Sequence, residues 1–253
     1  VCKSFLGGRD PGLPEFDRGT WYGPHATSLR MSDLGYRNTN QAGIHLSMNT
    51  LGEYIDGLEH AIRSPWPPYE KIGVAPDGVW RQLSTSALQI ENEYYGYVRP
   101  KQPIRSGERP TLALRRAGVA YVEVRALDVS PYDPAGVSQN ELRFIEAFLV
   151  FCMLHDSPPL SAAEMEQLDA NHARVAVAGR DPALALDIAG RHQPLVEWGR
   201  EICRQLAPIC ELLDHGDPSH SYSAALELQS AKLDDSELTP SARILAEMRQ
   251  ERE

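Results

Sequence analysis

Residues 120–128 read Ala-Tyr-Val-Glu-Val-Arg-Ala-Leu-Asp, a run of strand-forming residues with opposite charges set into its middle. Side chains alternate along a strand, so Tyr121, Glu123, Arg125 and Leu127 point one way and Val122, Val124 and Ala126 the other. Val122 and Val124 are expected to anchor the strand in the core. Taken alone, Glu123 beside Arg125 reads as a surface ion pair, worth about 0–1 kcal/mol.

Leu88 to Val98, Leu-Gln-Ile-Glu-Asn-Glu-Tyr-Tyr-Gly-Tyr-Val, alternates in the same way and reads as a second strand, with Gln89, Glu91, Glu93, Tyr95 and Tyr97 on one face. Carboxylates two apart on a strand lie roughly 7 Å apart on one side and can serve a common ligand zone. Arg30, Arg99, Arg105, Arg115 and Arg116 lie in nearby stretches of sequence. Magnesium takes carboxylate oxygens together with phosphate oxygens, and arginine binds phosphate and carboxylate in bidentate fashion. A face bearing both is what a metal–nucleotide site requires, while a solvated sheet face is the plain alternative. Residue types alone name no reaction. In Ala26–Tyr36, Arg30 reads as an anion contact and Tyr36 as an aromatic wall, against a simple turn capped by Asp33.

The 253 residues are 42% hydrophobic and 24% charged, the profile of a globular protein with a sizeable core. A formal net charge of -10 argues against nucleic acid as the main partner. No apolar run approaches the roughly 18 residues of a membrane span, and no stretch has a signal-peptide pattern. The longest apolar run, Ala147–Leu154, reads as a buried helix. Cys2, Cys152, Cys203 and Cys210 form no CxxC pair or metal spacing, and the last three read as small core residues in a reducing, cytoplasmic setting. The histidines form no HxH or HExxH arrangement, Gly7-Gly8 is not followed by Lys-Ser/Thr, and no serine sits in a GxSxG elbow.

Three Ser/Thr-x-x-Glu sequences, Thr50–Glu53, Ser138–Glu141 and Ser161–Glu164, predict helix starts. Helices are expected from about 50 to 62, 111 to 117, 138 to 155, 161 to 177, 195 to 214, 221 to 233 and 240 to 253, with Gly118 as a C-cap. Strands and loops come first and helices second, which predicts an α+β fold with an antiparallel sheet. The expected organisation is one partial catalytic domain over 1–253, with sheet and active-site loops in 1–137, a helical part in 138–253 and no separate second domain. The chain begins at Val1 and ends inside a helical pattern, so it reads as a piece of a longer protein.

The segments HATSLRMSDLGY (25–36), LQIENEYYGYVRPK (88–101), SGERPTLALRRAGVAYVEVRALDVSPYDPAGV (106–137) and LTPSARIL (238–245) strongly resemble the gamma-proteobacterial type of glutamate–cysteine ligase. The resemblance implies a glutamine synthetase-like curved antiparallel sheet, present here in part. It implies ATP-dependent joining of the γ-carboxylate of glutamate to the amine of cysteine through γ-glutamyl phosphate, the first step of glutathione synthesis. It further implies Glu123 as a Mg2+ ligand, Arg125 and Arg30 as contacts of the transferring phosphoryl group, and Arg30, Tyr36 and Tyr95 as substrate contacts. Arg99, Lys101, Arg105 and Arg115 are expected on the ATP side, and Glu91 and Glu93 on the polar face without an assigned role. Expected partners are glutamate, cysteine and ATP, with no nucleic acid and no membrane, and the expected state is a monomer. The family's other metal ligands lie on an N-terminal segment that this sequence lacks, and its C-terminal tail is also missing. The chain alone is therefore expected to have little or no ligase activity, and to expose a strand edge and apolar surface. A related carboxylate–amine ligase, and a non-catalytic fragment with a solvated acidic face, are the alternatives.

Overall fold

The structure, a computed structural model, describes residues 1–35, 41, 44 and 46–251. In chain order the elements are α1 (Lys3–Leu6), β1 (Glu15–Asp17), β2 (Thr20–Trp21), α2 (Leu51–Ala61), α3 (Pro67–Ile72), β3 (Val98–Lys101), α4 (Pro110–Ala117), β4 (Tyr121–Val124), α5 (Gln139–Leu154), α6 (Ala162–Ala178), β5 (Ala185–Ile188), β6 (Arg191–Pro194), α7 (Leu195–Leu213), α8 (Ser221–Asp234) and α9 (Pro240–Gln250). Short 3-10 turns at Leu29–Met31, Glu91–Glu93 and Ser236–Leu238 bear on the site. Helices and small antiparallel sheets coexist, an α+β composition. The described strands pair two by two, as β1–β2, β3–β4 and β5–β6.

The chain packs as two compact units, 37–127 and 1–36 with 128–253. In the first, α2 and α4 enclose a core of Leu46, Tyr54, Ile55, Leu58, Ala61, Leu88 and Leu114. Each such aliphatic side chain contributes about 1.5–3 kcal/mol by leaving water. Thr50 caps α2 by accepting from the Glu53 amide at 3.1 Å, and Gly118 ends α4 at a positive φ of 74°. Only half of the expected Thr50–Glu53 box forms, because the Glu53 carboxylate accepts from the Ser47 hydroxyl.

In the second unit α5, α7 and α8 pack around Ala147, Leu206, Ile209, Cys210 and Leu226. The Ser138–Glu141 and Ser161–Glu164 boxes are both complete and start α5 and α6. Asp214 joins α7 to α8: it is the C-cap of α7, and its carboxylate accepts from the Tyr222 and Ser223 amides at 2.7 and 3.0 Å in the first turn of α8. A hairpin of β5 and β6, absent from the expectations, turns through Ala189 and Gly190 at φ 48° and 74°, the left-handed pair of a type I′ turn. Asn171 of α6 holds it, donating to the Asp187 carbonyl at 2.7 Å and accepting from the Asp187 amide at 3.2 Å.

Several expectations are corrected. Residues 88–98 are not a strand; extended pairing begins at Val98. Glu91 is 4% exposed, and its carboxylate accepts from the Thr111 amide at 2.8 Å and the Thr111 hydroxyl at 2.7 Å in the first turn of α4, while Glu93 accepts from the Gln89 amide at 2.7 Å. Side-chain bonds to nearby backbone compete with a ladder, and here they bend the chain into a 3-10 turn. Val122 is not in the core: it is 42% exposed, because among the described residues β4 pairs with β3 alone and a two-stranded ribbon covers neither of its own faces. Helix α5 is buried along one stripe only, leaving Cys152, Leu142, Leu154 and Met153 (84%) exposed.

Candidate active site

The β3–β4 ribbon sets the first cluster. Its register places Arg99 opposite Glu123, Lys101 opposite Tyr121 and Val98 opposite Val124. One residue past the strand, the Arg125 amide donates to the Tyr97 carbonyl at 2.8 Å, so Arg125 keeps the extended geometry that places it on the side of Glu123. Glu123 Oε2 lies 3.4 Å from Lys101 Nζ and 3.7 Å from Arg125 Nη1. That oxygen is buried and, although flanked by two cations, accepts no hydrogen bond from the described residues.

The Arg125 guanidinium lies over the ring of Tyr95, 5.2 Å from its centroid, and the Tyr95 hydroxyl donates to the Arg125 carbonyl at 3.4 Å. Gln41 fixes the tyrosine from behind. Its carboxamide oxygen accepts from the Tyr95 amide at 3.0 Å, and its nitrogen donates to the Glu93 carbonyl at 2.7 Å. Glu123, Arg125 and Tyr95, named from the sequence, are thus brought together. Lys101 and Gln41 complete the cluster, and Gln41 carried no sequence signal beyond lying in a polar loop.

The arginines expected on the ATP side divide by environment. Arg99 is 4% exposed and donates to the Asn92 and Glu91 carbonyls at 3.4 and 3.5 Å, while its buried Nε has no hydrogen-bond partner among the described residues. Beside it, burial pushes the Tyr54 phenol above its ordinary pKa, a shift that the Arg99 guanidinium opposes. Arg115 ties α4 to α2, donating to Asp56 at 2.7 Å and Glu59 at 3.4 Å, and these bonds raise its pKa. Arg105 is exposed, and its amide donates to Glu108 at 2.8 Å. Arg116 chelates the same Glu108, whose carboxyl is held at a pKa of about 2 by hydrogen bonds from Arg116 and the Arg105 amide.

Arg30 sits in the other unit, in the 3-10 turn Leu29–Met31 that Ser28 caps by accepting from the Met31 amide at 3.3 Å. Its Nε donates to the Asp128 carboxylate at 2.5 Å. The C-terminal end of α6 holds the preceding loop. The Thr27 and Ser28 amides both donate to the Ala176 carbonyl at 3.1 Å, and the Thr27 hydroxyl donates to the Val175 carbonyl at 2.6 Å. Arg180, just past α6, donates to the carbonyls of residues 24, 25 and 26. Neither Asp128 nor Arg180 carries a functional signal in the sequence. Tyr36 lies outside the described residues.

The sequence pattern of the glutamate-cysteine ligase family matches residues 1–175. The chain belongs to that family. It is 49% identical to the glutamate–cysteine ligase of Azotobacter vinelandii over 98% of its own length and 47% of the relative's. It is 47% identical to the Pseudomonas putida KT2440 enzyme over 97% of itself and 47% of that protein. The crystal structure of the Francisella tularensis glutamate–cysteine ligase in complex with AMP superposes with a TM-score of 0.87 at 34% identity, over 96% of this chain and 48% of that one. A bifunctional glutathione synthetase from Pasteurella multocida shares the fold with a TM-score of 0.64 at 22% identity, over 89% of this chain and 24% of that one. The chain therefore spans about half the length of the curated ligases it matches.

A ligase that uses a nucleotide commonly holds its phosphates with a divalent ion. The described residues do not make such a centre. Glu123 presents one buried oxygen that already faces two cations, and no three His, Cys, Asp or Glu residues among those described converge as a metal would need. Magnesium asks for near-octahedral oxygen coordination.

Proposed function

We propose that this chain supplies part of the active site of an ATP-dependent ligase that joins the γ-carboxylate of L-glutamate to the amine of L-cysteine, the first step of glutathione biosynthesis. The γ-carboxylate attacks the terminal phosphorus of ATP and releases ADP. The cysteine amine then attacks the acyl carbon of γ-glutamyl phosphate, loses a proton and expels inorganic phosphate as the amide forms. The observation that carries this reading is the clustering of Glu123 and Arg125 of the β3–β4 ribbon with Tyr95 of the loop before it, in a member of this ligase family.

Phosphoryl transfer needs positioning and charge compensation more than proton transfer. Arg125 is assigned to the developing charge of the phosphoryl group and Arg30 to the same group and the glutamate. Tyr95 is assigned to a wall of the cysteine pocket, the role also expected of Tyr36, which lies outside the described residues. Of the three arginines expected at ATP, Arg105 is kept for the nucleotide, since Arg99 and Arg115 are engaged with neighbouring backbone and carboxylates. Glu123 would offer a magnesium ion one oxygen only, and the described residues supply no further set of ligands. In the complete protein the β3–β4 ribbon belongs to a larger curved antiparallel sheet of the glutamine synthetase kind. No described helix is long and apolar enough to cross a membrane. The substrates are expected in the cytoplasm.

The test measures ADP release with glutamate and cysteine, for the chain alone and for the complete polypeptide its gene encodes. Little or no turnover is expected from the chain, and glutamate- and cysteine-dependent turnover from the complete polypeptide, abolished by Arg125→Ala. Turnover of the complete polypeptide with another amine in place of cysteine would overturn the substrate assignment. Full turnover by the chain alone would show that it needs no further metal ligands.

A further inference from the structure

Arg180 is a buried cation that the proposed chemistry does not use. Its side chain is 5% exposed, and its partners lie far away in sequence. Nη2 donates to the Pro24 carbonyl at 2.6 Å, Nε to the Ala26 carbonyl at 3.2 Å, and the backbone amide to the His25 carbonyl at 3.0 Å. Three consecutive carbonyls of one loop thus accept from a single residue. Nη1 donates to Glu237 Oε1 at 3.1 Å, which balances the charge.

The traffic runs in both directions. The last carbonyls of a helix have no partner within it. At the end of α6 the Ala176 carbonyl takes its partners from the same loop, the Thr27 and Ser28 amides, and the Val175 carbonyl, which already accepts from the Gly179 amide at 2.8 Å, accepts from the Thr27 hydroxyl as well. Gly179 permits the approach, since a Cβ there would stand 2.6 Å from Thr27 Cγ2. The loop is therefore fastened from Pro24 to Ser28. Ser28 is the cap of the 3-10 turn that holds Arg30, so the fastened backbone ends two residues before that guanidinium.

We propose that Arg180 is a positioning residue for Arg30: with the end of α6 it fixes the loop so that the guanidinium, braced from its other side by Asp128, is presented to substrate. The inference rests on the reading of Arg30 given above. A guanidinium that meets a phosphoryl group has to be placed to within about 1 Å, and a misplacement of that size costs on the order of 10²-fold in rate. A purely structural Arg180 predicts lower stability alone.

Hydrogen exchange on the chain and kinetics on the complete polypeptide its gene encodes test the two halves of the proposal. Arg180→Met is expected to speed exchange at the Thr27 and Ser28 amides while leaving the β5–β6 ladder protected. It is also expected to raise the KM for glutamate and lower kcat, together by roughly 10- to 100-fold in kcat/KM. Arg180→Lys should recover part of this. Thr27→Val, which removes one bond of the same cradle and leaves no buried charge unpaired, should shift the KM for glutamate the same way by less. Leu226→Ala, a cavity in the α5–α7–α8 core, serves as the control for lost stability and should lower Tm without moving that KM. If exchange at Thr27 and Ser28 is unchanged in Arg180→Met, or if it rises while kinetics stay at the wild-type level and Arg30→Ala is inactive, the positioning role is overturned. If Arg30→Ala itself keeps full activity, the reading of Arg30 falls and this proposal falls with it.

Discussion

The Arg125 guanidinium stands over the ring of Tyr95 while the Tyr95 hydroxyl donates to the Arg125 carbonyl, so each residue limits the other's freedom. A cation over an aromatic face gains about 0.5–1 kcal/mol at partly exposed sites. Tyr95→Leu is therefore expected to raise the KM for cysteine and to loosen Arg125, lowering kcat/KM by about 2- to 5-fold from this contact alone. Tyr95→Phe keeps the ring and should stay within that range of wild type. Steady-state kinetics on the complete polypeptide decide it, and Tyr95→Leu indistinguishable from wild type would remove Tyr95 from the site.

Asp128 and Arg30 form a partly exposed pair, with 42% and 31% of their side-chain surface accessible. Such a pair adds no more than about 1 kcal/mol to stability. Asp128→Asn is expected to leave Tm within a few degrees of wild type while lowering kcat/KM about tenfold, by releasing a guanidinium that has to be placed to about 1 Å. Calorimetry and kinetics on one preparation separate the two effects. A fall in Tm with unchanged kinetics would make the pair structural only.

Glu91 behaves in the opposite sense. It is a buried carboxylate that receives two hydrogen bonds from Thr111 and faces Arg109 at 3.9 Å. Removing it strands the amide and hydroxyl of Thr111, and Glu91→Ala is expected to destabilise the unit 37–127 by about 3 kcal/mol, with Glu91→Gln milder. Urea unfolding measures this. A stable Glu91→Ala protein with impaired catalysis would restore the polar-face role that the sequence suggested.

Acid stability follows from Asp214. Burial pushes its carboxyl pKa up, but hydrogen bonds from Ser223 and the Tyr222 and Ser223 amides outweigh that, and the net shift is downward. The unfolded chain then binds the proton more readily than the folded one. The stabilisation is complete above the unfolded pKa, about 4, and disappears as pH falls through the lower folded value. Asp214→Asn should flatten the acid limb of stability below about pH 4, the unfolded reference value. An unchanged slope in pH-dependent unfolding would contradict this.

The helices were legible because their signals are local. The Ser138 and Ser161 boxes start α5 and α6 where Ser-x-x-Glu stands in the sequence, and Gly118 ends α4 as expected. The face of Glu123 and Arg125 was legible because alternation along a strand is also local. Glu91 was misread because alternation cannot show that a carboxylate is taken up by Thr111, twenty residues onward. The β5–β6 hairpin escaped because Ala189 occupies a left-handed position that Asn, Asp or Gly usually fills. Val122 was placed in the core on its apolarity, but burial depends on what lies above a strand, and a strand's own residues do not encode that. Arg180 and Asp128 were invisible for a related reason: their partners lie 156 and 98 positions away at the furthest.

That distance has a consequence for biosynthesis. Residues 24–26 leave the ribosome long before Arg180 is made, and at about 5–20 residues per second the gap is roughly 10–30 s. Throughout that interval the segment carrying Arg30 lacks this fastener. On the reading of Arg30 proposed above, the loop that leads to it is fastened only after translation has passed α6, whatever has already folded upstream.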